Sequence, residues 1–228
     1  MPGYLFKQES IAITGVESLQ IRSLLDRQQF ADPLGEAEAL GISSAFWPLF
    51  GLIWPSGLHL AEAMGQRLLR EDESILEIGC GLGLASLVAH RRGALVTASD
   101  CHPLAAAFML ENLRLNELPP LRYCHGNWAP FDAQAIPSQR VPRVQGRFDL
   151  IMGSDILYER DGEGALPQFI ARHALPRSEV IIIDPNRGNR SAFSKRMALL
   201  GYRLEETVLK SAPEAEAYSG RLLRYWRE

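Results

Sequence analysis

The chain has 228 residues, 46% of them hydrophobic, with 24 basic and 27 acidic side chains and a formal net charge of −3. That length suits one ordinary domain with a short extension and a real core, and it would cramp two full domains. The near-neutral balance lacks the global basic field of a non-specific nucleic-acid binder, so no nucleic-acid partner is expected.

From Met1 to Glu9 no basic region precedes an apolar stretch, so no signal peptide is read there. Two pieces, Tyr4 to Ile13 and Leu19 to Leu25, alternate in the manner of strands. Residues 1–46 are therefore read as an N-terminal extension, a small hairpin over the active-site mouth, and 47–228 as the main domain. The most apolar window, Phe46 to Trp54, contains Pro48 and is far shorter than the roughly 20 residues of a membrane helix, so no membrane association is expected. Trp47 is read as packing beneath the extension.

Ser74 to Ile78 reads as a strand that runs into Gly79-Cys80-Gly81-Leu82-Gly83 and then the helix-like segment from Leu84 to His90. Alternate glycines let the backbone bend tightly and approach a ligand, and the following helix N-terminus offers unpaired N–H groups and a positive dipole. The spacing is G-x-G-x-G, with bulky Leu84 where the dinucleotide fingerprint needs a small residue, which points away from NAD. The next strand, 94–99, delivers Asp100, 17 positions after Gly83, to a place where a carboxylate can accept both hydroxyls of a ribose. Acidic residues on both sides of the unit, Glu77 and Asp100, favour an adenosine-containing cofactor over a plain loop.

Further strands are read near 121–125, 148–153 and 179–184, with helices at about 83–92, 103–116, 163–174 and 191–200. This alternation predicts an α/β domain with a doubly wound sheet. Two more strands, Arg203 to Leu209 and Leu222 to Trp226, follow in succession and predict an antiparallel C-terminal hairpin, giving a seven-stranded, mostly parallel sheet. Asp132 to Arg147 reads as a loop in which Arg140, Arg143 and Arg147 are solvated, since no aromatic residues interleave with them. Cys80, Cys101 and Cys124 lack metal-ligand spacing and read as reduced thiols, with the cytoplasm as the expected compartment. His59, His90 and His125 have no further ligands at metal spacing, so no metal site is expected.

Several segments together resemble a known family, the class I S-adenosylmethionine-dependent methyltransferases with a seven-stranded sheet, and within it the family 16 protein-lysine methyltransferases. They are Trp54-Pro55-Ser56-Gly57, Glu77 to Gly83, Ser99-Asp100, Asn127-Trp128, and Phe148 to Glu159 with its Asp155-x-x-Tyr158 after the fourth strand. The resemblance covers about residues 45–210 and implies a Rossmann-like methyltransferase fold and S-adenosylmethionine as cofactor. It implies that Gly79, Gly81 and Gly83 pass beside the methionyl part, that Asp100 takes the ribose, and that Trp128 lies near the adenine. Trp54, Glu77, Asn127 and Ser154 complete the implied cofactor set, Asn127 standing where the group more usually carries an acidic residue. Asp155 and Tyr158 are the implied catalytic pair at the acceptor. Asp184-Pro185-Asn186-Arg187 is similar to an Asp-Pro-x-Arg of bacterial relatives that resemble the electron-transfer-flavoprotein lysine methyltransferases, and of proteins named as predicted nicotinamide N-methylases, and would place Asn186 or Arg187 over the acceptor entrance, although turn chemistry accounts for Pro185 and Gly188 equally well.

The expected function is methyl transfer to a protein lysine by in-line attack on a sulfonium methyl group, a reaction that positioning can largely catalyse. A lysine amine, with an ordinary pKa near 10.4, must first lose a proton, and a carboxylate with a phenol nearby could orient it while water takes the proton. A small-molecule N- or O-methyltransferase is the alternative, because the same sheet serves many acceptors. A catalytically silent cofactor-binding module is the reading from another class. A lid formed by residues 1–46 would favour a small acceptor, and an open surface a protein.

Overall fold

The computed structural model describes residues 3–128, 141–158, 161–210 and 217–228; Arg140, Glu159 and most of the loop expected at 132–147 lie outside the described residues. Strands β1 (Phe6–Ile13) and β2 (Val16–Leu24) pair antiparallel, so the extension is a hairpin as expected. Its buried apolar side chains are Ile13, Leu19, Ile21 and Leu24. Its place differs from the expectation: rather than covering the mouth, it lies against two helices, α2 (Pro55–Gln66) and α4 (Ala105–Leu115). The reason is hydrogen bonding along β2. Asn112 Oδ1 accepts the Arg22 N–H at 2.8 Å, and Asn116 accepts the Gln20 N–H at 2.9 Å while donating to the Gln20 carbonyl at 2.8 Å. These α4 side chains satisfy backbone groups that a buried strand edge would otherwise leave unpaired.

A short helix, α1 (Glu36–Ala39), and two 3₁₀ turns, at Ser44–Phe46 and Leu49–Gly51, lead from the hairpin to α2. Pro55 opens α2 at its first position, where a missing N–H costs nothing.

The main sheet comprises β3 (Ser74–Ile78), β4 (Leu95–Asp100), β5 (Arg122–His125), β6 (Phe148–Ser154), β7 (Ala174–Asp184), β8 (Arg203–Lys210) and β9 (Ser219–Arg227). Their spatial order is β5-β4-β3-β6-β7-β9-β8, with β9 alone running antiparallel to its neighbours. Helices α3 (Leu84–Arg91), α5 (Ala165–His173) and α6 (Arg190–Leu199) complete the layers. Alternation along the central strands divides the core in two. Ile75, Leu150, Met152, Ile181 and Ile183 pack with α2, α3 and α4, whereas Leu76, Ile151, Val180 and Ile182 pack with α5 and α6. Covered on both faces, these strands read as continuous apolar runs, which is how a parallel sheet survives in water.

β7 begins five residues earlier than the sequence suggests. Ala174 pairs with Phe148 and Glu179 with Leu150, so extra residues, including Pro176, bulge out of the ladder before regular pairing resumes. The chain builds β3, β4 and β5 outward to one side and then returns to place β6 on the other side of β3. The crevice between the carboxyl ends of β3 and β6 is therefore the point where strand order reverses, the usual ligand position in such sheets.

Candidate active site

The β3 end of that crevice carries the glycine loop. Gly79, Gly81 and Gly83 have φ of +60°, +52° and +70°, the left-handed region that residues with a Cβ avoid. A Cβ on Gly81 would lie 2.9 Å from the Phe50 carbonyl oxygen, so the 3₁₀ turn before α2 closes directly onto the loop. A Cβ on Gly79 would meet Ile156 at 2.9 Å and the Trp128 ring at 3.4 Å, which places Trp128 against the same loop. Asn127, one residue earlier, is exposed.

Asp100, at the end of β4, holds the loop in shape. Its two carboxylate oxygens accept the Gly81 and His102 N–H groups, each at 2.8 Å. Burial pushes its pKa up, opposed by those backbone donors. The Cys101 N–H and thiol also reach this carboxylate, so a further hydroxyl donor would take the place of the weak thiol. His102 itself stacks on Phe50 with ring centroids 3.8 Å apart, and burial lowers its pKa to about 3, so it stays neutral. Burial drives the Cys80 thiol well up, with the charges of Asp100 and Glu77 adding to the effect, which keeps it from acting as a nucleophile.

Glu77 lies beneath the loop. Its buried carboxylate accepts the Ser86 N–H at 2.9 Å and also the Ser86 hydroxyl, so it ties the first turn of α3 to the end of β3. This exchange satisfies donors at a helix N-terminus that carries no side-chain cap. Burial nevertheless raises its pKa from 4.5 to about 7, against the two Ser86 hydrogen bonds. A folded pKa above the unfolded one means that the stabilisation is complete below pH 4.5 and is lost as pH rises through about 7. A gap of that size corresponds to on the order of 3 kcal/mol. In thermal melts across this window the wild type should lose stability more steeply than Glu77→Gln, whose amide oxygen still accepts from Ser86; parallel slopes would mean that the carboxyl is ionised throughout.

The β6 end carries Ser154 and Asp155. Ser154 faces the start of α2, its Oγ 3.7 Å from where a Gly57 Cβ would stand. Trp54 precedes that helix, with its indole N–H donated to the Leu49 carbonyl at 2.9 Å and the Arg27 guanidinium 4.9 Å from its ring centroid. Trp47 donates to the Ile42 carbonyl at 2.8 Å, within the segment that follows the hairpin. Asp155 is a non-glycine residue with φ +54°, pinned by its own N–H to the Ile183 carbonyl at 2.8 Å. Such a conformation persists only where the surroundings impose it. Oδ1 of Asp155 accepts from Arg187 Nε at 2.8 Å and lies 2.7 Å from Arg187 Nη2. Burial raises the Asp155 pKa, with the Arg187 hydrogen bond and charge opposing it. Tyr158, partly exposed, meets the Phe46 ring at 5.8 Å.

The structure thus gathers the glycine loop, Asp100 and Trp128 at the end of β3, and Ser154 and Asp155 at the end of β6. Tyr218 lies beyond what the sequence revealed: it shares a 2.9 Å hydrogen bond with Ser56 and packs on His59. The burial-raised pKa of Tyr218 also responds to the charges of Asp155 and Asp184. No local pattern links residues 162 positions apart, so nothing in the sequence could have found that pair. Among the described residues no group of three or more His, Cys, Asp and Glu could hold a metal ion, and no helix is long and apolar enough to cross a membrane.

Residues 49–198 match the lysine methyltransferase family. The electron transfer flavoprotein beta subunit lysine methyltransferase of Mus musculus is 26% identical over 221 residues, covering 95% of this chain and 79% of that protein. The ribosomal protein L11 methyltransferase of Thermosipho melanesiensis is 26% identical over 133 residues, covering 55% and 46%. Among solved structures, the T. thermophilus 16S rRNA N2 G1207 methyltransferase superposes with a TM-score of 0.61 at 17% identity, covering 98% of this chain and 51% of that one, a likeness of fold.

Proposed function

The chain belongs to the lysine methyltransferase family and is an S-adenosylmethionine-dependent methyltransferase, and on that premise we propose that its acceptor is the ε-amine of a lysine in a protein. One observation carries the reading: a glycine loop and ribose-type carboxylate on one side of the switch-point crevice, and a partly buried carboxylate, Asp155, held in a strained turn on the other. The hairpin supports a protein acceptor over a small molecule, since it packs on α2 and α4 instead of forming a lid. We take residues 1–46 as the extension and 47–228 as the catalytic domain. Cys80, Cys101 and Cys124, none in a disulfide, suit the reducing conditions of a cytoplasm.

The cradle fits the cofactor by its donor set: left-handed glycines without side chains, helix N–H groups beyond them, and the Asp100 carboxylate, whose weakest donor, the Cys101 thiol, a ribose hydroxyl would replace. When bound, S-adenosylmethionine supplies an electrophilic methyl group. Gly79, Gly81 and Gly83 would flank its methionyl part, Asp100 the ribose and Trp128 the adenine, with Trp54, Asn127 and Ser154 bordering it and Glu77 bracing the loop from below. Asp155 would hold the acceptor nitrogen and Tyr158 its flank, aligning a lone pair that becomes available when the ammonium loses its proton to water.

The test is to incubate the protein with methyl-tritiated S-adenosylmethionine and an extract of its host, then separate label by size. The electron transfer flavoprotein beta subunit of that host is the first purified acceptor to try, given the named substrate of the mouse relative. Label recovered as methyllysine in a discrete protein band is the expected result. Label confined to the small-molecule fraction would replace the lysine reading with the small-acceptor one.

A further inference from the structure

The proposed acceptor carboxylate already has a cation. Arg187 directs Nε and Nη2 to a single oxygen of Asp155, at 2.8 and 2.7 Å. The two partners are unequally buried: the Asp155 side chain is 14% exposed and that of Arg187 41%. The backbone beneath Arg187 is firmly held. Its N–H is donated to Asp184 Oδ2 at 2.9 Å, Asn186 before it has φ +60° and donates from Nδ2 to Ser219, and Asn189 after it donates to the Leu157 carbonyl at 2.9 Å. Only the long side chain is free to move. A half-exposed guanidinium that leaves regains water at little cost, whereas a mostly buried carboxylate left without a cation is costly.

We infer that Arg187 is a specificity-determining residue, a resident cation on Asp155 that a cationic acceptor displaces and a neutral one cannot. The exchange on binding replaces one positive charge with another, so Asp155 is without a cation only after the bound ammonium has given up its proton. A hydroxyl acceptor would displace Arg187 without replacing its charge, and the site rejects it for that reason. Asp184, whose Oδ1 is buried without a hydrogen-bond partner, adds negative charge beside the exchange and disfavours a neutral occupant further.

This inference rests on the lysine reading. That reading fails if the wild type labels no protein, whereas the Arg187 inference fails on a labelled protein substrate whose kinetics do not respond to the residue. The experiment compares wild type with Arg187→Gln, Arg187→Met and Arg187→Lys, using the labelled protein as substrate and n-butylammonium chloride as a lysine side-chain mimic. Binding of S-adenosylhomocysteine reports that each variant is folded. Removing the competitor should lower the KM for the protein acceptor about 1.5- to fivefold in the Gln and Met variants, the range set by an exposed ion pair. Inhibition by n-butylammonium should strengthen by the same factor, Arg187→Lys should stay with the wild type, and n-butanol should not inhibit any of them. A KM unchanged or raised in both neutral variants overturns the inference, as does equal inhibition by n-butanol.

Discussion

An Asp155→Asn enzyme is expected to bind S-adenosylhomocysteine as the wild type does, yet to methylate about 10²-fold more slowly, the size of the loss when a reacting group is misplaced. Asparagine is the informative substitution because the backbone at position 155 has φ +54°. Asn tolerates that region better than other non-glycine residues, whereas Ala would add roughly 1–2 kcal/mol of backbone strain to the loss of the carboxylate. The N–H to the Ile183 carbonyl and an oxygen for Arg187 both survive, so the charge is what the variant removes. The pH profile offers an independent check. Burial lifts the Asp155 pKa despite Arg187, so as pH falls the wild-type rate should lose its carboxylate dependence at a higher pH than an ordinary aspartate would give. The Asn variant should lack that acid limb. If cofactor affinity falls in step with the rate, Asp155 belongs to the cofactor pocket and the acceptor assignment moves elsewhere.

The cofactor side of the crevice was legible because its signals are local. Ser74 to Ile78 carries Ile75, Leu76 and Ile78 and is ended by glycines, and all three glycines adopt the left-handed backbone for which glycine is the natural choice. Two strands in succession after α6 likewise announced the reversed β9. The acceptor side was half legible. Asp155, Tyr158 and the turn carrying Arg187 stood out as motifs, but the ion pair joining Asp155 to Arg187 spans 32 positions and depends on β6 and β7 being neighbours. What failed in the sequence reading shares one cause, a side chain that answers to a distant backbone. The hairpin's two alternating strands were plain, yet where they dock is decided by Asn112 and Asn116 on α4, residues that look like ordinary helix-surface amides. Glu77 stood out by position, but its hydrogen bonds to Ser86, which tie β3 to α3, had no mark in the sequence. The strand was read from 179 onward, because the register slip that accommodates Pro176 earlier in β7 has no sequence mark.

Gly81→Ala should cost about 10²-fold in affinity for S-adenosylhomocysteine, and Gly83→Ala should cost stability instead. Both residues have positive φ, so each alanine carries roughly 1–2 kcal/mol of strain. They differ in what the new methyl group meets and in what can relax. At Gly81 the obstacle is the Phe50 carbonyl oxygen at 2.9 Å, part of a 3₁₀ turn whose Gly51 is itself backed by Leu24. The free protein escapes by letting the loop and that turn separate, and binding must then drive them back together. Strain and displacement summing to about 3 kcal/mol, levied only on the bound state, give the hundredfold loss. At Gly83 the obstacle is the terminal methyl of Met109, at the end of a flexible side chain that can turn aside. The remaining strain sits at the N-cap of α3, which the fold holds alike with and without ligand, so it lowers stability in both states and leaves their difference small. A Tm drop of roughly 4 °C is the expected size for a chain of this length. Calorimetric titration and thermal melts of the two variants decide the matter: if Gly83→Ala loses as much affinity as Gly81→Ala, the loop responds as one unit and the contact with Phe50 has no special part in binding.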